Sequence, residues 1–148
     1  DELLGCFGLV DLLIPRGSNV FVRHIMDNTK IPVMGHSDGV CHIYVDASAN
    51  LSSAIPICVD AKCQYTAACN AVEALLVHRD VAEGFLPLLA DAYAAVGVEI
   101  RGDERVCALI DCKSASQEDW GAEYLSPTIF VRVVDSLDEA IDHINRYG

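Results

Sequence analysis

The residue best placed for chemistry is Cys69. It lies in the run Tyr65-Thr66-Ala67-Ala68-Cys69-Asn70-Ala71-Val72-Glu73, between a predicted helix and the apolar strand Ala74-Leu75-Leu76-Val77-His78. Alanine neighbours leave room for another molecule to reach the sulfur, and a junction of regular elements is where a rigid scaffold presents a nucleophile. The other cysteines are Cys6, Cys41, Cys58, Cys63, Cys107 and Cys112, an odd total of seven with no Cys-x-x-Cys pair. Structural zinc sites show paired ligands at short spacing, so Cys41-His42 with Cys63 or Cys69 is a poor metal site and no metal is expected. Most of these thiols read as small buried apolar groups in a reducing compartment, which places the protein in the cytoplasm. Two histidines are candidate acid–base groups. His36 sits in a loop and is the candidate for a substrate contact; His42, inside an apolar strand, reads as a core residue. A Cys69–His hydrolase is a further option, but the sequence assigns no partners to it.

The elements that must position Cys69 come from a chain of 148 residues, one ordinary domain or one domain plus a piece of another. With 52% hydrophobic residues it can bury a sizeable core. No apolar run reaches the roughly 18 residues needed to span a bilayer, so no membrane is expected. The net charge of −12, without a basic stripe, excludes nucleic acid as a partner. The chain opens on Asp1-Glu2-Leu3-Leu4, without a starting Met or a recognisable leader, and is expected to be a processed or excised fragment.

Strands and helices alternate along the sequence. Val10 to Ile14 reads as a buried strand, Pro15 to Ser18 as a turn, and Ser18 or Asn19 as the cap of a helix ending near Asn28. Ile31 to Met34 and Val40 to Val45 read as strands. Asn50 caps a helix reaching towards Gln64, with a kink or later start expected at Pro56. After the strand that follows Cys69, Asp80 and Glu83 resemble a capping box for a helix ending at Gly97, and Pro87 argues for a late start. Val98 to Arg101 is a strand. Residues 102–121 look irregular, with one helical turn near Glu104 to Leu109. Thr128 to Val134 is the clearest strand. Ser136-Leu137-Asp138-Glu139 caps a helix with Leu137, Ala140, Ile141 and Ile144 on one face. This alternation predicts an α/β layer structure with a mostly parallel sheet.

Several segments together resemble one family. They are Asp11-Leu12-Leu13-Ile14-Pro15-Arg16-Gly17-Ser18, Ile31-Pro32-Val33-Met34-Gly35-His36, Asp38-Gly39-Val40-Cys41-His42-Ile43-Tyr44-Val45-Asp46, and Asp60-Ala61-Lys62 continuing through Cys69-Asn70-Ala71-Val72-Glu73. Asp135-Ser136-Leu137-Asp138-Glu139-Ala140-Ile141 and His143-Ile144-Asn145-Arg146-Tyr147-Gly148 complete the set. The sequence is similar, almost throughout, to the gamma-glutamyl phosphate reductases of the aldehyde dehydrogenase superfamily. The resemblance implies a three-layer α/β catalytic domain of that type over residues 31–148, and the C-terminal piece of a nucleotide-binding domain over residues 1–30. It also implies that the chain is an incomplete, inactive portion of a larger enzyme.

For function, the resemblance implies NADPH-dependent reduction of L-glutamyl 5-phosphate to L-glutamate 5-semialdehyde, with release of phosphate, in proline biosynthesis. Cys69 matches the nucleophile, which forms a thioester. Its backbone N–H is a natural oxyanion donor, and Asn70 either adds a second donor or shapes the turn. Glu123-Tyr124-Leu125-Ser126-Pro127 resembles the superfamily's Glu-x-Phe-Gly-Pro motif, which makes Glu123 the holder of the nicotinamide ribose. Gly17 and Ser18 open a helix whose N–H groups either approach the cofactor or serve a plain turn. The region Val33 to Gly39 lacks the water-activating glutamate of the oxidising relatives, and Thr66 replaces a usual proline. A homo-oligomer, and a glutamate 5-kinase as partner or fusion, are implied for the intact enzyme. The alternative is a stand-alone domain of the same fold that serves as a binding or assembly module.

Overall fold

A computed structural model of the protein describes residues 2–35 and 39–148, with the Asn19 side chain left undescribed. The chain divides into two compact units, Asp1–Asp38 and Gly39–Gly148.

The first unit is held by helix α1, Asn19–Asp27, which buries Val22 beneath it. Ser18 caps α1, its hydroxyl accepting the Phe21 N–H at 3.3 Å. Gly17 before it has φ +151°, and a Cβ there would lie 2.9 Å from the Phe21 ring. Two strands expected in this unit do not form. Segments 10–14 and 31–34 meet only at a single parallel bridge, Leu13 with Val33, fixed by bonds of 2.9 Å from Leu13 N–H to Pro32 and from Met34 N–H to Leu13. Leu12 and Ile14 stay exposed, because no further strand among the described residues of this unit pairs with them.

The second unit is built on five parallel strands. They are β1 Cys41–Val45, β2 Val72–His78, β3 Glu99–Gly102, β4 Lys113–Ser114 and β5 Thr128–Val134, in the order β1-β2-β5-β3-β4. Helices α2 (Leu51–Cys63), α3 (Arg79–Ala95) and the single turn α4 (Glu104–Cys107) lie on one face; α5 (Leu137–Tyr147) lies on the other. Alternation along the strands separates the two layers. Leu75, Val77, Ile129, Val131 and Val133 pack under α2 and α3, while Leu76 and Val134 pack under Ala140 of α5. The α/β layers and parallel sheet expected from the alternating pattern are observed, with the three layers that the resemblance implied.

Neither helical proline delays the start of its helix. α2 starts directly after its cap Asn50 and runs through Pro56, and α3 runs from Arg79 through Pro87. The carbonyls these prolines leave without an N–H belong to Ser52 and Glu83, both exposed residues at the solvent side of their helices. The α3 cap is also different: His78 Nδ1 accepts the Asp80 N–H at 3.2 Å, in place of a box built on Asp80. In α5 the cap is as expected, with Ser136 accepting from Glu139 at 3.1 Å, but Leu137 and Ile141 are exposed and His143 is buried instead.

Candidate active site

Because the strands are parallel, the segments that precede β1, β2 and β5 meet at one edge of the sheet. That edge carries Gly39-Val40, the Cys69 turn, and residues 123–127. Open α/β sheets usually bind ligands at the opposite, carboxyl edge. The nucleophile candidate therefore lies at the amino ends of the strands.

Cys69 and Asn70 are the central residues of a turn closed by the Ala71 N–H on Ala68 O at 2.9 Å. Both are exposed. Among the described residues neither the Cys69 nor the Asn70 N–H donates to another group. The Cys69 carbonyl accepts the Cys41 thiol at 3.5 Å, and a Cβ on Gly39 would stand 3.3 Å from it. Gly39 thus lets the entry to β1 pass close behind the turn. The Cys41 thiol is pushed up by burial and then by neighbouring Cys69, Glu73 and Glu123, which places those groups around it. Glu123 is half-buried.

Behind the turn lies a buried ion pair that the sequence reading passed over. Lys62 Nζ donates to Glu73 at 2.6 Å, with side chains 0% and 1% exposed. The register explains how a carboxylate enters this strand. Cys41 pairs with Val72 and His42 with Ala74, leaving Glu73 as the extra residue of a β-bulge. The second Glu73 oxygen accepts the Leu125 N–H at 3.1 Å, where Leu125 has φ +50°. Glu73 therefore pins the 123–127 segment in a left-handed conformation that an L-residue adopts only under constraint.

Asp119 holds the same segment from the other side. It accepts from the Tyr124 hydroxyl at 2.7 Å, from Arg101 at 2.8 Å, and from the Ser116 N–H and hydroxyl at 2.7 and 3.0 Å. Burial raises the Asp119 carboxyl, but these donors outweigh it and hold the group at about 2. Its signal in the sequence was a carboxylate three residues after Ser116, the local reach of a capping contact.

Of the residues singled out from sequence, Cys69, Asn70 and Glu123 belong to this edge. Gly17 and Ser18 sit at the start of α1 in the first unit, and His36 lies outside the described residues. His42 is half-buried, with Nδ1 2.6 Å from the Val40 carbonyl. The cysteines are less buried than expected: only Cys58 is fully so, Cys69 is exposed and the others are intermediate. No three His, Cys, Asp or Glu side chains among the described residues converge as metal ligands, and no described helix is long and apolar enough to cross a membrane.

The chain belongs to the aldehyde dehydrogenase family, whose sequence profile matches residues 9–120. It is 58% identical over 147 residues to gamma-glutamyl phosphate reductase 1 of a Synechocystis species, covering 99% of this chain and 34% of that protein. It is 56% identical over 146 residues to gamma-glutamyl phosphate reductase of a Synechococcus species, with the same coverage of 99% and 34%. The crystal structure of gamma-glutamyl phosphate reductase from Thermotoga maritima matches with a TM-score of 0.96 at 40% identity, over 99% of this chain and 36% of that one. The chain thus spans about a third of the length of the curated relatives it matches.

Proposed function

We propose that the unit Gly39–Gly148 carries the nucleophile of a glutamate-5-semialdehyde dehydrogenase acting on L-glutamyl 5-phosphate. The observation that carries this reading is the exposed Cys69 turn, whose two N–H groups donate to no described residue, on the edge where Cys41 has both Cys69 and Glu123 as neighbours. The name shared by the high-identity relatives supports the substrate.

In this reading the Cys69 thiolate attacks the acyl carbon, forming a C–S bond and an oxyanion. The Cys69 N–H, with that of Asn70, stabilises the oxyanion. Its collapse breaks the carbon–oxygen bond to phosphate, inorganic phosphate leaves, and the acyl group remains on Cys69 as a thioester. NADPH, when bound, supplies the hydride that reduces this thioester. The tetrahedral oxyanion left by that reduction re-forms its C=O bond, the C–S bond breaks, and Cys69 is released as thiolate while the aldehyde departs.

Glu123 is the residue that would hold the nicotinamide ribose. Its fit rests on a half-buried carboxylate, a group that accepts from hydroxyls, whose neighbours Tyr124 and Leu125 are anchored by Asp119 and Glu73. Gly17 and Ser18 would approach the cofactor from the start of α1, and His36 would contact the substrate or its phosphate. Residues 1–30 are assigned to the tail of a nucleotide-binding domain and 31–148 to the catalytic domain. The complete enzyme is placed in the cytoplasm as a homo-oligomer, with a glutamate 5-kinase as partner or fusion.

The test is phosphate-dependent oxidation of glutamate 5-semialdehyde with NADP, using a full-length protein that contains this chain. Turnover is expected, and Cys69→Ser should lower kcat by at least about a thousandfold, while Cys41→Ser retains most of it. Near-normal turnover by Cys69→Ser would remove that residue from the mechanism. Absence of turnover in the unmodified full-length protein would favour a binding or assembly module. The 148-residue chain alone is expected to be inactive.

A further inference from the structure

At the far edge of the sheet, away from Cys69 in sequence and in strand order, two thiols converge. Cys107 ends α4 and Cys112 directly precedes β4, and their sulfurs are 3.0 Å apart, closer than two sulfurs without a bond or a shared proton would settle. Both side chains are half-buried, so neither is sealed from small solutes. The convergence is built into the fold. Gly102 forms the floor beneath them: a Cβ there would lie 2.8 Å from the Cys112 sulfur and 2.5 Å from Val106, so only glycine leaves the space. The Cys107 thiol is further held near the Gly102 carbonyl at 3.4 Å, and α4 is anchored through Asp103, which accepts from the Val106 and Val133 N–H groups at 2.9 and 3.2 Å.

We propose that Cys107 and Cys112 form an oxidisable dithiol, a modification site at which a peroxide converts the pair to an intramolecular disulfide. The Cys107 thiolate attacks one peroxide oxygen; the O–O bond breaks, the second oxygen leaves as hydroxide and takes a proton to become water, and Cys107 becomes a sulfenic acid. Cys112 then attacks that sulfur, the S–O bond breaks, and a second water departs with the remaining proton. Two electrons pass from the sulfurs to the peroxide. In this scheme Cys107, whose sulfur also lies against the Gly102 carbonyl, attacks first, and Cys112, whose thiol is pushed up by burial and by the hydrogen bond to Cys107, resolves.

The bond would tie α4 to β4. That strand has only two residues, Lys113 and Ser114, paired to Arg101 and Gly102 on one side. An edge strand this short has little hydrogen bonding of its own to hold it, so a covalent link at its first turn fixes a segment that is otherwise marginal. The same link fixes two walls of an open cavity, one carrying Arg105 from α4 and the other Ser114 of β4 with Ser116 just after it. The site is independent of the Cys69 chemistry and stands whether or not that reading holds.

The experiment is titration of the full chain with hydrogen peroxide, quenching by an alkylating agent, and peptide mass mapping. Trypsin cuts after Arg105 and Lys113, so both cysteines fall within one peptide, residues 106–113. The expected result is a 106–113 peptide lighter by two hydrogens that takes no alkyl group, returning to a doubly alkylated form after reduction. In Cys112→Ala the same treatment should leave Cys107 as a sulfenic acid, trapped by a dimedone-type probe. The proposal is overturned if the wild-type peptide remains doubly alkylated while Cys69 oxidises. It is equally overturned if the wild-type peptide gains oxygen at Cys107 as readily as the Cys112→Ala peptide does. The wild-type measurement decides the matter even if the variant fails to fold.

Discussion

The two edges of the sheet use ion pairs of nearly equal length for different ends. At the amino edge, Lys62 and Glu73 meet at 2.6 Å with both side chains essentially sealed from water. At the carboxyl edge, Arg105 meets Asp135 at 2.9 Å with side chains 45% and 55% exposed, and Arg79 approaches the same carboxylate at 3.7 Å. Distance does not separate these pairs; burial does. A buried pair lets each partner compensate the other's desolvation, so removing one strands a charge. An exposed pair competes with water on both sides and is screened by salt. The amino edge, where an exposed thiol and Glu123 are presented, is therefore the rigid end, with its segment 123–127 held by Glu73 and Asp119.

The sharpest way to break this contrast is Glu73→Gln. It leaves the Lys62 ammonium buried without its carboxylate, and should cost about 3–5 kcal/mol of stability. Chemical denaturation checks it. The double change Lys62→Met with Glu73→Gln should recover a large part of that loss, because no unpaired charge remains. A cost below about 1 kcal/mol for the single change would mean that the pair behaves like the exposed one and that the amino edge is not rigid on its account.

A second effect lies between the edges, under α5. Arg132 Nη1 is 3.0 Å from His143 Nδ1. Guanidinium is only a donor, so Nδ1 accepts and the ring is neutral, with its proton on Nε2. Burial first, then His42 and Arg132, lower the His143 pKa to about 4. Against an unfolded value of about 6.5, the folded state binds fewer protons between these limits. Stability from this group is therefore complete above about pH 6.5 and lost as the pH falls through about 4, amounting to about 3 kcal/mol. Denaturation midpoints measured across this window should slope, and His143→Gln should flatten the slope.

Asp119 defines a third, lower window. Its folded value of about 2 lies below an ordinary aspartate near 3.9, so its contribution is present above the ordinary value and lost as the pH falls through the folded one. The amount is about 2–3 kcal/mol. Asp119→Asn should remove it at neutral pH and release Tyr124, which hydrogen exchange across residues 122–127 would report as faster opening. Unchanged exchange there would leave Glu73 as the sole anchor of the segment.

These networks also mark where the sequence stops being legible. Local signals carried well: β5 spans Thr128–Val134 as its β-branched run predicts, Ser136 caps α5, and the Cys69 junction is a turn before a buried strand. Signals needing a partner did not. The apolar run Val10 to Ile14 has strand composition, but among the described residues it receives only two isolated bridges, Val10 with Phe7 and Leu13 with Val33. β4 has two residues and no apolar pattern, and exists because α4 returns it to β3. The bulge that turns Glu73 towards Lys62 depends on register across strands 28 or more residues apart in sequence, which no local periodicity encodes. Even the α5 stripe misled, because His143 takes a buried place through its bond to Arg132 while Leu137 and Ile141 face outward.

The smallest effect belongs to the carboxyl edge and completes the contrast. Arg105 donates to Asp135 across the ends of α4 and β5, and also reaches the Val133 carbonyl at 3.5 Å. A double-mutant cycle of Arg105→Ala and Asp135→Ala should give a coupling of about 0–1 kcal/mol. Half a molar of salt should shrink it further, since at that ionic strength exposed charges are screened within a few ångströms. The Lys62–Glu73 coupling, measured in parallel, should be larger and nearly insensitive to salt. If both couplings fell together with salt, the two edges would share one electrostatic regime, and the rigidity of the amino edge would have to come from the bulge and the Leu125 backbone bond alone.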